Sequence, residues 1–198
     1  MRSANHGSLW LTTLSIGLLF SFLDPSQGQV AGLAGHPKTD NPVPGKFVDV
    51  TERVGVRFKQ EASPTSRKYL LSTMGSGVAL FDYDNDGRLD IFLANGARID
   101  DPTPKGTIPP KVGPKYWNRL YHQKADGAFE DVTEKAGVSG VGFSTGVAVG
   151  DYDNDGFEDL FVAGYGHSTL YHNNGDGTFT DVTATAGVRG SGWATSAA

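Results

Sequence analysis

The chain has 198 residues, and its 17 Lys and Arg against 22 Asp and Glu give a formal net charge of −5 at pH 7. Because there is no basic excess to neutralise phosphates, this composition argues against nucleic acid as a partner. Glycine supplies 27 residues and cysteine none, which favours a turn-rich, all-β chain without disulfides.

The amino terminus has the pattern of an export signal. Arg2 is followed by an apolar stretch at residues 9–23, which is short for a membrane span. We predict a signal peptide at residues 1–28; a retained membrane anchor is the alternative. Residues 29–44, rich in Gly and Pro, are predicted to be a disordered lead-in. The expected destination is secretion, the periplasm or the cell surface, with no membrane span left after cleavage.

Two acidic loops, residues 82–90 and 151–159, place Asp at positions 1, 3, 5 and 9 around a Gly at position 6. Four like charges in a tight turn repel unless a cation lies among them. Hard oxygen ligands without Cys, and with no His expected nearby, favour calcium, while magnesium prefers to keep its waters. We therefore predict about two calcium ions, one per loop. The predicted ligands are the carboxylates of Asp82, Asp84, Asp86, Asp90, Asp151, Asp153, Asp155 and Asp159, with the backbone carbonyls of Arg88 and Phe157 as further candidates.

The flanks of these loops predict strands rather than the helices of an EF-hand. Position 12, where an EF-hand needs a carboxylate, is Leu93 in one loop and Val162 in the other. Short apolar runs on both sides indicate buried strands. Asn85 and Asn154 are expected to support the turn rather than bind the ion. A polar hairpin turn without metal is the alternative.

The loops belong to a longer repeat. The string that begins at Phe129 recurs 50 residues later at Phe179, and a third copy begins at Phe47. Leu120-Tyr121-His122 likewise recurs as Leu170-Tyr171-His172, and the two histidines are expected to be half-buried strand residues rather than ligands. Four short strands per unit are typical of a propeller blade. We predict an all-β fold, a partial β-propeller of four-stranded antiparallel blades with calcium-binding hairpin loops, over residues 45–198.

Several strings in these repeats resemble a known family. Gly-Asp-Tyr-Asp-Asn-Asp-Gly, Leu-Tyr-His-Asn-Asn-Gly-Asp-Gly-Thr-Phe and Phe-Thr-Asp-Val-Thr look like the FG-GAP or VCBS-type repeats of integrin-α-like propellers. They are most similar to those of the ASPIC/UnbV and cartilage acidic protein family. The resemblance implies a secreted, calcium-binding propeller that serves in adhesion or recognition of an extracellular protein or carbohydrate.

The length of the repeat region predicts an incomplete propeller. Residues 192–198 align with residues 142–148, which lead into the second acidic loop. Propellers close with about four to eight blades, and residues 45–198 supply about two. We therefore expect further blades that are missing from this chain.

Ser144 lies in a Gly-x-Ser-x-Gly string at residues 142–146. That motif belongs on a strand-to-helix turn, whereas here it leads into a predicted strand. Asp126 and Asp176 stand in Asp-Gly strings that predict hairpin turns. We expect no enzyme; the alternative is the propeller portion of a secreted polysaccharide-acting enzyme.

An insertion at residues 96–118 has no counterpart in the second repeat. Its five prolines exclude it from helix and central sheet, and it carries cations together with Tyr116 and Trp117. A decoration that packs across the blade edge is slightly favoured over a binding loop.

Overall fold

The computed structural model describes residues 45–198. Residues Phe47–Ala198 form one structural unit. The predicted signal peptide at residues 1–28 and the lead-in at residues 29–44 lie outside the described residues, and both stay predictions. No helix within residues 45–198 combines the length and apolar character that a membrane crossing needs.

Each repeat forms its own sheet: residues 45–198 contain two four-stranded antiparallel sheets, with the strands of each sheet in chain order. The first sheet consists of β1 (Val78–Phe81), β2 (Asp90–Leu93), β3 (Arg119–Gln123) and β4 (Phe129–Asp131). The second consists of β5 (Phe143–Gly150), β6 (Asp159–Tyr165), β7 (Thr169–Asn173) and β8 (Phe179–Asp181). One α-helical turn, α1 (Thr133–Ala136), and the 3-10 helices Leu70–Thr73 and Pro114–Tyr116 are the helical segments of this region. The predicted all-β class and four-stranded blades of a partial propeller are confirmed.

Strand register follows the alternation of side chains. Ala79 of β1 opposes Phe92 of β2, and Phe92 opposes Leu120 of β3, so the three share one face of the first sheet. In the second sheet, Val147 opposes Val162 with the same antiparallel pairing. These matched registers place both acidic loops at corresponding positions, between the first and second strand of each sheet.

The two sheets share one hydrophobic core. Its fully buried members include Phe92 and Leu120 from the first sheet and Leu160 from the second. Fully burying a side chain of this kind contributes about 1.5–3 kcal/mol, so the cluster holds the two blades together. It comprises Phe81, Tyr83, Phe92, Ala94, Leu120, Ala136, Val138, Leu160, Val162, Tyr171 and Phe179.

The insertion packs into a second, smaller core. Ala97 and Ile99 are buried there with Leu71 and Phe143. Tyr116, at 5 % exposure, is also buried. The insertion thus packs against the blade, and Tyr116 is a core residue. We therefore expect a Gly-Ser replacement of residues 96–118 to destabilise the protein, because it removes buried apolar side chains.

Lys111 holds the two ends of the insertion together. Its Nζ donates hydrogen bonds to the carbonyl oxygens of Asn95 (2.7 Å), Gly96 (2.9 Å) and Tyr116 (2.9 Å). Burial lowers the pKa of Lys111 to about 7. The hydrogen bonds oppose this effect because three carbonyls match the three N–H donors of the charged ammonium group.

We predict that Lys111→Met lowers the free energy of unfolding by about 1–2 kcal/mol, since the carbonyls around it lose their donors while a buried charge is removed. Chemical denaturation measures this difference. Lys124→Met, at an exposed position, is the control and should change stability by less than about 0.5 kcal/mol. Equal effects of the two substitutions would contradict the role assigned to Lys111.

Candidate metal centre

The first acidic loop is closed by its own carboxylates. Asp82 accepts backbone hydrogen bonds from Asp86 (3.0 Å) and Gly87 (2.7 Å), and Asp86 accepts one from Arg88 (2.9 Å). Asn85 has a φ of +57° and Gly87 a φ of +84°, a conformation that Asn and Gly tolerate better than other residues. The Asp-x-Asp-Asn-Asp-Gly string therefore specifies this tight turn locally.

The second loop repeats this geometry. Asp151 accepts from the backbone of Asp155 (3.0 Å) and Gly156 (2.9 Å), and Asp155 accepts from Phe157 (2.9 Å). Asn154 has a φ of +59°. Asn85 and Asn154 thus occupy the same left-handed position in two equivalent turns.

The carboxylates at loop position 9 are buried. Asp90 is 0 % exposed and Asp159 2 % exposed, and they begin β2 and β6. Asp90 accepts from the backbone of Tyr83 (3.1 Å) and Gln123 (2.7 Å), and Asp159 from the corresponding Tyr152 (3.1 Å) and Asn173 (2.7 Å). Burial raises the pKa of both carboxyl groups, since desolvation disfavours their charged form. A cation nearby would offset this cost.

Carboxylates of each loop approach one another in groups of three. Asp82, Asp84 and Asp90 each place one oxygen within 4.8 Å of the others, and Asp151, Asp153 and Asp155 do the same in the second loop. Asp86 forms a second group of three with Asp84 and His122, and Asp159 forms one with Asp153 and His172. These acidic clusters could each hold a metal ion.

Arg88 and Phe157 occupy equivalent positions but differ in side-chain role. The Arg88 guanidinium forms an ion pair with Asp86, and its Nε donates to the carbonyl oxygen of Gln123 (2.7 Å). Phe157 has no charge. Its ring lies so close to Gly175 that a Cβ atom on residue 175 would be 2.8 Å from a ring carbon. The first loop therefore has one of its negative charges already paired, and the second does not. The assignment of the two backbone carbonyls as ligands stays a prediction.

Both loops fall within a match to a known family. Residues 82–162 and residues 151–198 match the FG-GAP-like repeat family, and the two ranges together cover more than half of the chain. The chain belongs to the FG-GAP-like repeat family. Each matched range begins at the first Asp of an acidic loop, Asp82 or Asp151. Among curated proteins, none matches this chain.

Each FG-GAP-like repeat also brings a histidine to its loop. His122 Nδ1 lies 3.2 Å from Asp90 Oδ1 and 3.4 Å from Asp84 Oδ2. His172 Nδ1 lies 3.2 Å from Asp153 Oδ2, with 3.4 Å to Asp159 Oδ1. Both are half-buried strand residues, as expected. Sequence reasoning missed their contact with the loops. The signal that could have indicated it is that each histidine follows the same Leu-Tyr pair at the same place in its repeat.

Two asparagines join the loops of the FG-GAP-like repeats to each other. Asn85 Nδ2 donates to the carbonyl oxygen of Gly156 (3.0 Å). Asn173, fully buried, donates from its Nδ2 to the carbonyl oxygens of Tyr83 (2.8 Å) and Glu158 (3.1 Å). These contacts place both loops on the same side of the two blades. They also tie the backbone of one acidic loop to that of the other.

The other singled-out aspartates serve turns. Asp126 accepts from the backbone N–H of Ala128 (3.0 Å), and Asp176 accepts from that of Thr178 (3.0 Å). Hydrogen bonds from Thr178 lower the pKa of Asp176. Both residues lie between the third and fourth strands of their sheets, as their Asp-Gly strings predict.

Proposed function

We propose that this chain is a secreted calcium-binding recognition module in which each acidic loop holds one calcium ion. The observation that carries the proposal is the convergence of three carboxylates in each of two equivalent loops, Asp82, Asp84 and Asp90 in the first and Asp151, Asp153 and Asp155 in the second. In this proposal the blades act as a rigid frame that presents a surface to an extracellular protein or carbohydrate. No catalytic step is assigned to the module.

The donor set fits calcium. Every predicted side-chain ligand is a carboxylate, the hard oxygen donor that calcium prefers. Asp84 Oδ1 is buried and has no hydrogen-bond partner among the described residues, so one oxygen in the first loop lacks a partner that a cation would supply. Asp82 already accepts two N–H groups, but an ionised carboxylate has about four lone-pair sites and can still bind a cation. The eight aspartates, with the carbonyls of Arg88 and Phe157, would hold the two ions.

Bound calcium would supply positive charge that removes the repulsion within each loop. The chain's own residues do the rest. Asp82 and Asp151 close the turns, and Asp90 and Asp159 anchor the loops to β2 and β6 through backbone hydrogen bonds. The module would consequently be ordered outside the cell, where calcium modules often bind at about 10⁻⁴ to 10⁻³ M.

Titration calorimetry of the full chain tests the metal assignment. We expect about two calcium ions per chain and the loss of about one in each of Asp84→Asn and Asp153→Asn. Asp126→Asn, outside the acidic loops, is the matched control and should keep both sites. Absence of calcium uptake by the unsubstituted chain would refute the proposal.

The relationship to the ASPIC/UnbV and cartilage acidic protein family is also part of the proposal. It rests on the strings around the loops, such as residues 150–156 and 170–179. A longer sequence of the same protein tests it: an ASPIC/UnbV domain after further blades is the expected finding. A catalytic domain in that place would instead favour a polysaccharide-acting enzyme.

Export is supported by the charged start and the apolar stretch at residues 9–23. N-terminal sequencing of protein recovered from outside the producing cells should give a start near Gln29. Protein that keeps Met1 and stays in the cell would contradict the proposed location.

Ser144 is assigned no catalytic role. It is 2 % exposed within β5, and its backbone N–H donates to the carbonyl oxygen of Asn95 (3.1 Å). We predict that Ser144→Ala leaves calcium uptake unchanged and changes stability by less than about 1 kcal/mol. Ester hydrolysis that the protein shows and Ser144→Ala abolishes would contradict this assignment.

A further inference from the structure

The Phe47 segment, residues 47–51, has the sequence of a fourth strand but no third strand beside it within residues 45–198. The two other copies of its string form β4 and β8, which pair with β3 and β7. Residues 47–50 belong to neither of the two sheets. Phe47 is fully exposed, whereas Phe179, its equivalent in β8, is 7 % exposed.

The turn that follows this string is nevertheless folded as it is in the two blades. Asp49 accepts the backbone N–H of Thr51 (3.0 Å), and in the first blade Asp131 accepts that of Thr133 (3.1 Å). All three copies also have the backbone hydrogen bond from the residue seven places after the Phe to the residue three places after it. The segment therefore has the local conformation of a fourth strand and its exit.

Thr51 and Val50 show which contacts a third strand would supply. In the two blades, the Oγ1 of the equivalent threonine, Thr133 or Thr183, accepts the backbone N–H of a third-strand leucine (both 3.0 Å) and is buried. The valine before each of them donates its N–H to the carbonyl oxygen of the same leucine (both 2.9 Å). Thr51 is exposed, and among residues 45–198 neither group has such a partner. The backbone of one residue in an added strand would satisfy both.

The Phe47 segment also leads into the first blade as the end of the first blade leads into the second. A Cβ atom on Gly55 would be 2.9 Å from the carbonyl oxygen of Phe129 in β4. The equivalent Gly137 lies in the same way against Phe179 of β8, where the distance would be 3.4 Å. The segment therefore occupies the place of the last strand of a blade that precedes the first one in space.

The face of the first blade that such a neighbour would cover is apolar and exposed. Val78 and Leu80 of β1 are 59 % and 62 % exposed. Their equivalents in β5, Val147 and Val149, pack against the core that joins the two blades. Hence β1 presents to solvent the side chains that dock one blade on another in β5.

A second copy of this chain does not fit this surface. The string Leu-Tyr-His, which forms the third strand of both blades, occurs in the sequence at residues 120–122 and 170–172. Both of these strands are already paired on two sides, with the second and fourth strands of their own sheets. The occupant must be a blade that has three strands of its own and needs a fourth.

The other side of the two blades indicates that this blade belongs to the same polypeptide. The backbone N–H of Ala194 donates to the carbonyl oxygen of Gly164 (3.2 Å), just as that of Ser144 donates to the carbonyl oxygen of Asn95 (3.1 Å). Residues 194–198 therefore approach the second blade as β5 approaches the first, in the position of the first strand of another blade. When blades follow in chain order around a closed ring, the neighbour before the first blade is the last one in the sequence.

We propose that the Phe47 segment is the fourth strand of a further FG-GAP-like blade, the last repeat of the same polypeptide, which docks on Val78 and Leu80. The third strand of that blade runs antiparallel to residues 47–49, and the backbone of one of its residues bonds Val50 and Thr51. Main-chain hydrogen bonds supply the affinity when a strand is added to an exposed edge. The inference rests on the further blades expected from the sequence and does not depend on calcium, so it and the calcium proposal can fail separately.

Disulfide trapping tests the strand pairing, because the chain has no cysteine. In the proposed register Phe47 faces the position of Asn173, since Phe179 pairs with Asn173 in the second blade. Phe47→Cys changes a fully exposed side chain and should leave the fold intact. The probe is a peptide of residues 167–174 that carries Asn173→Cys, and its shifted match carries His172→Cys.

Each peptide is equilibrated with the full Phe47→Cys chain in a glutathione buffer, and the mixed disulfide is measured by mass spectrometry. We expect at least about tenfold more mixed disulfide with the Asn173→Cys peptide, because a shift of one residue turns the cysteine to the other face of the strand. Adding Thr51→Val, which removes the hydroxyl acceptor, should reduce this preference severalfold. Thr185→Val, at an exposed threonine of the corresponding turn in the second blade, is the matched control and should keep it.

Equal trapping of the two peptides would overturn the proposal, and so would a preference that Thr51→Val leaves unchanged. A longer sequence of the same protein is a second test. Its last FG-GAP-like repeat should have a third strand of the Leu-Tyr-His type without a Phe-x-Asp-Val-Thr string after it. A last repeat with its own string would also overturn the proposal, because its third strand would already be paired.

Discussion

Calcium at tenfold excess over its dissociation constant is expected to stabilise the protein by roughly 1.4 kcal/mol per loop, and by about twice that for two independent loops. For a domain of this size, 1 kcal/mol shifts the melting temperature by about 2–4 °C. The total shift should therefore be about 5–10 °C. The physical reason is that the carboxylates gathered in each loop repel one another, and a bound cation would offset this repulsion. Thermal melts with calcium, with magnesium and with chelator measure the effect.

Magnesium should raise the melting temperature much less than calcium, because it keeps its waters rather than enter an all-protein cage. Asp86→Ala and Asp155→Ala should each remove about one loop's share of the calcium-dependent shift. Asp126→Ala is the control, since it lies in a turn outside the loops and should keep the full shift. A melting temperature that is indifferent to chelator would contradict the metal assignment.

The two loops should also differ in affinity. Arg88 already pairs with Asp86, so a cation in the first loop competes with a guanidinium, while the second loop has Phe157 at that position. We therefore assign the tighter site to the second loop. Arg88→Leu should strengthen calcium binding in the first loop, and a two-site fit of the calorimetric titration would detect the change.

Replacing Asn173 by Ala is expected to lower the free energy of unfolding by about 2–4 kcal/mol even without calcium. The buried amide donates to the carbonyl oxygens of Tyr83 and Glu158, and each buried acceptor left without a donor costs about 1–3 kcal/mol. Asn174→Ala is the matched control. Its side chain is exposed and bonds the neighbouring Thr178 and Thr180, so the loss should stay below about 1 kcal/mol. Equilibrium denaturation with chelator present compares the two.

Asn173 should also couple the calcium sites. Its amide connects the backbones of both loops, and the Asn85 side chain makes a second connection to Gly156. Ordering of one loop by calcium would therefore lower the cost of ordering the other, and we expect positive cooperativity between the two sites. In Asn173→Ala the two sites should titrate more independently than in the unsubstituted protein. Unchanged cooperativity in Asn173→Ala would show that the bridge does not transmit the effect.

The sequence by itself determined the parts of this protein that depend on local spacing. Short apolar runs predicted strands, and the positions of Asp and Gly predicted both tight turns. The carboxylate of Asp82 reaches the backbone of Asp86 and Gly87 within the same loop. The repeat of Phe129 at Phe179 predicted two equivalent blades, because the same string forms the same strand in both sheets.

Only the tertiary structure decided which distant residues complete these parts. Asn173 bonds Tyr83 across 90 positions of the chain, and His122 reaches Asp90 from another strand. Tyr116, which looked like an exposed aromatic of a surface loop, is buried, and Lys111 closes that loop through three carbonyls. Such contacts depend on how the insertion folds back and how the blades pack. Neither can be predicted from the spacing of residues along the chain.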